Sequence, residues 1–203
     1  MRAMLFIIFQ TLLAMAATKK ELRTKYKKLR QDLTQNEIRD LSVQISEQCL
    51  ALDIWSKNVF HVFLSIQSLK EVDTQPLIQT LQRCGKTVVV SKADFQTLEM
   101  KHFLYTTKTV VALNSWQIPE PIAGVEINDN QIQVVFVPLL AVDLGGNRTG
   151  YGKGFYDRFL AKCKPNTIKI GLSFFEPENT LLDADANDMR LDMCVIPKKI
   201  FVF

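Results

Sequence analysis

Residues 134–157 read VVFVPLLAVDLGGNRTGYGKGFYD, and the order of the parts in this stretch decides the fold that the chain builds. The first half is a continuous apolar run of strand length, which suits a strand buried on both faces of a sheet. The second half is a loop with Gly145, Gly146, Gly150, Gly152 and Gly154, five of the eight glycines in the chain, and with Arg148 and Lys153 among them. Glycine lets backbone N–H groups turn toward a bound group, and a concave set of such groups beside two cations would hold an anion. From Phe155 the pattern becomes helical through Phe159, Leu160 and Cys163. Strand, glycine loop and helix N-terminus in succession make a phosphate site physically reasonable.

The loop is not a Walker A motif, because Gly154 and Phe155 follow Lys153 where Ser or Thr is required, and it lacks the full dinucleotide fingerprint. On glycine content alone, a long, well-turned surface loop is the competing reading.

Outward from this stretch, 203 residues with 47% apolar and 23% charged composition describe one soluble domain able to bury a single core. The cysteines Cys49, Cys84, Cys163 and Cys194 are far apart and form no C-x-x-C, so neither a disulfide framework nor a zinc site is indicated and a reduced, cytoplasmic setting is expected. His61 and His102 stand in unrelated contexts and give little support to a histidine-centred metal site or a Ser-His-Asp triad. The net charge of +4 is uneven: Lys19 to Arg30 holds five lysines and two arginines against Glu21 alone. Such a segment suggests an anionic ligand or nucleic acid, with a solvated helix face as the commoner explanation.

Residues 1–17 form an apolar leader whose run from Ala3 to Ala17 follows Arg2. It is too short for a comfortable membrane span, and it reads either as a start assigned upstream of Met15, as a signal-like segment or as an extra packed helix. The remaining 18–203 make the functional domain. Thr18 caps a helix with Leu22, Tyr26, Leu29 and Leu33 at helical spacing. Thr34 and Glu37 form a capping box for a second helix, whose apolar stripe is Ile38, Leu41, Ile45, Cys49 and Leu52. A strand is predicted over Val59 to Ser65, a helix over Thr74 to Cys84 with Thr74 as cap, and strands over Thr87 to Val90, Met100 to Leu104, Ile168 to Ser173 and Cys194 to Pro197. Ser115 to Pro121, with Trp116 inside, reads as a rigid extended loop. Alternating strands and helices predict an α/β fold, a single-domain three-layer α/β/α sandwich with a mostly parallel central sheet.

The full string Asp143-x-x-Gly-x-Arg148-x-Gly150-x-Gly152-x-Gly154-Phe155-Tyr156-Asp157 closely resembles the signature of the 5-formyltetrahydrofolate cyclo-ligases, also called 5,10-methenyltetrahydrofolate synthetases. The similarity runs from about Lys19 to Asp192. It implies ATP-dependent, magnesium-dependent closure of 5-formyltetrahydrofolate to 5,10-methenyltetrahydrofolate with release of ADP and phosphate. Lys19, Lys20 and Arg23 resemble the family's basic motif at ATP phosphates and, through the arginine, at folate. Phe63-Leu64-Ser65 and Glu71-Val72-Asp73-Thr74 resemble its strand and substrate loop, so Leu64 and Glu71 are implied to meet the pterin, on a loop slightly longer here than in some relatives. Trp116 lies in a string similar to W-x-I-P-x-P.

In the central loop, Arg148, Thr149, Gly150, Tyr151, Gly152, Lys153, Gly154, Phe155 and Tyr156 correspond to the nucleotide-binding stretch, and Tyr151 to Phe155 also lie close to folate. Arg148 and Lys153 are implied as catalytic, and Asp157 and Asp188 as magnesium ligands. Phe155 stands where many relatives have tyrosine, and Thr149 where leucine is frequent. The expected partner is a reduced folate, with or without a polyglutamate tail, bound by a monomer with no nucleic-acid or membrane partner. The rival readings are a nucleic-acid-binding protein using the basic helix and an enzyme handling CoA or a sugar phosphate on a similar scaffold.

Overall fold

The computed structural model describes residues 17–179, 185 and 187–203, so Met15 and nearly all of the apolar leader lie outside the described residues. In chain order the elements are α1 (Lys19–Asp32), α2 (Gln35–Leu50), β1 (Val59–His61), α3 (Gln75–Arg83), β2 (Thr87–Asp94), β3 (Glu99–Tyr105), β4 (Val111–Leu113), β5 (Pro119–Pro121), β6 (Val134–Pro138), β7 (Ala141–Val142), β8 (Arg148–Thr149), α4 (Phe155–Lys162), β9 (Ile168–Leu172), β10 (Met193–Ile196) and β11 (Lys199–Val202). Short 3-10 turns at Gln67–Leu69 and Asp129–Gln131 complete them.

One seven-stranded sheet runs in the order β11-β10-β9-β6-β1-β2-β3. The five inner strands are mutually parallel, and β3 and β11 close the edges antiparallel. The sandwich read from the sequence is therefore the fold. β6 explains why: Val134 and Phe136 enter one core with α2 and α3, while Val135 and Val137 enter the other with Phe159 and Leu160 of α4. A strand at the centre of such a sheet has no polar face, hence the unbroken apolar run.

Both N-terminal helices begin with complete capping boxes, Thr18 with Glu21 and Thr34 with Glu37. Each cap satisfies N–H groups that would otherwise go unpaired, worth about 1 kcal/mol. The α2 stripe is core as expected, with Leu41 only partly buried. In α1, however, the inward positions are Leu22, Tyr26 and Arg30, and Leu29 is exposed. An i, i+4, i+8 row selects residue 30, and the guanidinium is tolerated there because it is hydrogen-bonded on arrival.

Other boundaries differ. β1 ends at His61 rather than Ser65, because only the Val62 amide still donates to β2, at Val89 O, before the chain peels away. Phe63 O then accepts from the Thr74 hydroxyl at 2.6 Å, and Ser65 Oγ donates to Val72 O at 2.6 Å. Thr74 is thus engaged across the loop and does not cap α3 with its side chain. β2 and β3 are longer than predicted and continue as a hairpin beyond the sheet. The predicted loop of Ser115 to Pro121 ends in β5, which pairs with β4, and β11 was not predicted at all.

Sequence order reverses between β1 and β6: β2 and β3 lie to one side, β9 and β10 to the other. Chains leaving the carboxyl ends of parallel strands diverge at such a point and leave a crevice.

Candidate active site

A cleft of about 560 Å³ opens at that reversal. Its walls are Phe63 and Leu64 after β1, Ser91 and Ala93 of β2, Pro138 at the end of β6, the loop 148–157, and Lys19 and Arg23 of α1. Of the site residues read from the sequence, Lys19, Arg23, Leu64, Glu71, Trp116, Arg148 to Asp157 and Asp188 all line it. Lys20 does not: it is exposed and lies outside the cleft.

The glycine loop takes its shape from positive φ at two positions. Gly152 has φ +89° with the Arg23 guanidinium 3.1 Å from where a Cβ would stand, and Gly154 has φ +70° as the N-cap of α4. A side chain at Gly152 would meet both backbone strain and the cation. Arg23 Nε donates to Gly150 O at 3.0 Å, which ties α1 to the loop.

At the base of the loop, buried Arg148 donates to Asp157 Oδ1 at 2.8 Å and to Met189 O, and the Met189 amide donates to the same Oδ1 at 3.0 Å. Lys19 Nζ donates to Asp185 Oδ2 at 3.1 Å and to Asp188 Oδ2. Burial draws the Lys19 amine down, yet the two carboxylates outweigh it and leave the amine above its ordinary value. Among the described residues the buried Thr149 Oγ1 has no hydrogen-bond partner. Lys153 is exposed at the rim. The cleft lining therefore brings together cations, an unpaired hydroxyl and hard carboxylate oxygens.

The rest of the lining is largely aromatic and acidic. Asn114 Oδ1 accepts from the amides of Trp116 and Ile118, Gln117 turns at φ +60°, and Trp116 is left 66% exposed. Its ring stacks on Phe95 at 5.6 Å, and Phe95 meets the ring of Phe155 edge-on at 5.2 Å. Glu71 is almost fully buried, with Oε2 accepting from the Ile66 amide at 2.8 Å and Oε1 from the Tyr151 hydroxyl at 2.7 Å. Arg30 Nη1 donates to that hydroxyl at 2.9 Å, while Nη2 donates to Leu139 O. Burial raises the Glu71 carboxyl, partly opposed by the Ile66 amide and by Arg30.

Phe95, Ser91 and Met100 carried no site signal in the sequence, and Phe95 and Ser91 become relevant only through partners far along the chain. The 3-10 turn after Ile66 is anchored by Lys70, whose Nζ donates to Gln31 O and Leu33 O at 2.6 Å each, fixing the Glu71 loop to the end of α1.

The chain matches the 5-formyltetrahydrofolate cyclo-ligase family over residues 15–197. Among curated proteins it is similar to the 5-formyltetrahydrofolate cyclo-ligase of Mus musculus, 29% identical over 191 residues that cover 87% of this chain and 92% of the relative. It is also similar to that of Haemophilus influenzae, 30% identical over 163 residues that cover 77% and 85%. Among solved structures, the 5,10-methenyltetrahydrofolate synthetase of Aquifex aeolicus superposes with a TM-score of 0.72 at 26% identity, covering 91% of this chain and 92% of that one.

Proposed function

The chain belongs to the 5-formyltetrahydrofolate cyclo-ligase family, and from that premise we propose that it closes 5-formyltetrahydrofolate to 5,10-methenyltetrahydrofolate using ATP and magnesium, with ADP and phosphate as co-products. The observation that carries this reading is one cleft lined both by a glycine loop with Arg148, Lys153, Lys19 and Arg23 and by aromatic rings with a buried acid, Glu71. The first set suits a triphosphate and the second a flat heterocycle with N–H donors.

An N-formyl oxygen is a poor leaving group. In the proposed reaction it attacks the γ-phosphorus of ATP, giving an imidate phosphate. The neighbouring N10 lone pair then forms a bond to the formyl carbon, N10 loses its proton, and the carbon–oxygen bond breaks with its electron pair leaving on phosphate. Most of the acceleration comes from alignment and charge neutralisation, as is general for phosphoryl transfer. Arg148 is preorganised for this by Asp157 and Met189 O, and Lys153 stands at the rim where a mobile ammonium can follow the transferred group. Asp157 and Asp188 would hold magnesium, whose chemistry is to neutralise phosphate oxygens, and two carboxylates with phosphate and water are a donor set that this hard cation accepts. Met189 and Arg148 both donate to one oxygen of Asp157, Oδ1, and so direct Oδ2 elsewhere.

The test is the ultraviolet absorbance of the methenyl product, followed with ATP and magnesium supplied together and each withheld. Product that needs both is expected. Product at an undiminished rate without ATP, or none under any condition, would overturn the proposal.

A further inference from the structure

Two imidazoles lie beneath the cleft floor with no place in the chemistry above. His61 is 0% and His102 1% exposed, and their rings meet edge-on at 5.3 Å under Phe159, whose ring is 4.0 Å from that of His102. An apolar side chain would fill this space without the cost of burying polar nitrogens. Both contact Ser91 Oγ, His61 through Nε2 at 2.5 Å and His102 through Nδ1 at 3.3 Å, and Ser91 lines the cleft. On its far side His102 Nε2 is 3.3 Å from Asp129 Oδ1, close but not aligned for a hydrogen bond, and the Asp129 side chain is 24% exposed. A path of polar atoms thus runs from cleft to solvent through a wall that is otherwise apolar.

We propose that Ser91, His102 and Asp129 form a proton exit that carries away the hydrogen lost by the substrate nitrogen during ring closure, an assignment that rests on the functional reading above. The acid at Nε2 favours the tautomer of His102 with hydrogen on that nitrogen, which turns the Nδ1 lone pair toward Ser91. In the tautomer with hydrogen on Nε2, His61 donates to Ser91 Oγ and leaves the serine's own hydrogen for His102. As N10 bonds to the formyl carbon, its proton passes to Ser91 Oγ and the serine proton to His102 Nδ1. The Nε2 proton passes to the Asp129 carboxylate once that 3.3 Å contact turns into hydrogen-bond alignment, and from there it is released to water. The electron pair left on N10 helps expel phosphate.

The charges around His102 suit transient rather than resident protonation. Burial, with Lys162 of α4 adding to it, lowers His102 to about 4, and His61 is held well below its ordinary value by burial and by His102. Burial raises the Asp129 carboxyl, with Glu99 and Glu126 on the same side and Lys162 opposing, and Lys162 itself is paired with Glu99 at 2.7 Å. A neutral imidazole can therefore accept from serine, and the acid beyond it is a better proton acceptor than one in open water.

The experiment follows single-turnover formation of methenyl product, with enzyme in excess, in light and heavy water. Ser91→Ala is expected to slow the step roughly 10- to 100-fold and to reduce the solvent isotope effect, with Ser91→Thr recovering most of the rate. Asp129→Asn, which changes a partly exposed side chain outside the cleft lining, should move rate and isotope effect in the same direction. Ser91→Ala and Asp129→Asn both within about twofold of wild type would overturn the relay, as would a slowing that Ser91→Thr does not recover or that leaves the isotope effect unmoved. If the wild-type protein forms no methenyl product, the functional reading falls and takes the relay with it.

Discussion

The hydroxyl of Tyr151 donates to Glu71 Oε1 at 2.7 Å and joins two loops eighty residues apart in sequence across the cleft wall. Arg30 donates to the same hydroxyl from α1, so three segments meet at one oxygen. Tyr151→Phe leaves a buried acceptor and part of a buried guanidinium unpaired. We expect it to destabilise the fold by about 1–3 kcal/mol in urea denaturation and to loosen folate binding together with stability. Glu71→Gln keeps an acceptor for the hydroxyl and should cost less. Equal stability of Tyr151→Phe and wild type would show that the bond is not maintained in solution.

The histidine pair gives a pH prediction with a definite sign. In the unfolded chain His102 titrates near 6.5, while in the fold it is lowered to about 4. The unfolded state therefore binds more protons between these values, so the stability is present above about 6.5 and lost as pH falls toward 4, amounting to about 3 kcal/mol from His102. His61, lowered further, acts in the same direction. Denaturation midpoints measured from pH 7 down to about 4.5 should fall more steeply for wild type than for His102→Gln. Parallel slopes would mean that His102 is not buried as a neutral ring.

Much of this architecture was legible because β6, α2 and the capping boxes each follow one local rule. The apolar run at 134–137 reports burial on both faces, and Thr-x-x-Glu reports a helix start wherever it occurs. The cleft floor was not legible, because its partnerships are between distant segments. Hydropathy places Leu29 rather than Arg30 in the α1 stripe, and only the meeting with Leu139 O and Tyr151 makes the arginine an interior residue. Phe95 and Ser91 gain their meaning from Trp116 and from the histidines. β1 looked longer than it is because Val62, Phe63 and Leu64 continue the apolar run after leaving the ladder.

Beyond the magnesium role that the resemblance implies for Asp157, its bonds to Arg148 and the Met189 amide give it a part in the fold. Asp157→Asn weakens a charge-assisted pair around a buried arginine. A loss of about 1–3 kcal/mol in folding stability is expected. The magnesium concentration for half-maximal turnover should also rise roughly 10- to 100-fold, read by titrating the metal under saturating ATP. Unchanged magnesium dependence beside reduced stability would leave Asp157 as a support for Arg148 alone.

Trp116 offers the opposite separation. Being mostly exposed, it contributes to the fold chiefly through Phe95, so Trp116→Ala should alter stability by less than about 0.5 kcal/mol. If its face receives the folate ring, KM for the folate should rise roughly tenfold while KM for ATP stays put, from the loss of a stacking partner and its apolar area. A parallel rise in both constants would place the residue outside the folate end of the cleft.

The last prediction concerns the fate of the formyl oxygen. The cleft is lined by a glycine loop with cations and two carboxylates as well as by aromatic and acidic side chains. Such an arrangement suits transfer of a phosphoryl group to a bound acceptor better than hydrolysis of ATP for its own sake. In a transfer mechanism the formyl oxygen becomes the bridging atom of an imidate phosphate and leaves within inorganic phosphate. Were ATP used only to drive a conformational change, the formyl oxygen would depart as water and phosphate would take its fourth oxygen from the solvent. Substrate carrying heavy oxygen in the formyl group, turned over with ATP in ordinary water, distinguishes the two when the released phosphate is weighed by mass spectrometry. One labelled oxygen per phosphate is the expected result. Unlabelled phosphate formed alongside methenyl product would remove the imidate phosphate from the mechanism and leave the overall reaction standing, so that the basic loop would have to act on ATP alone.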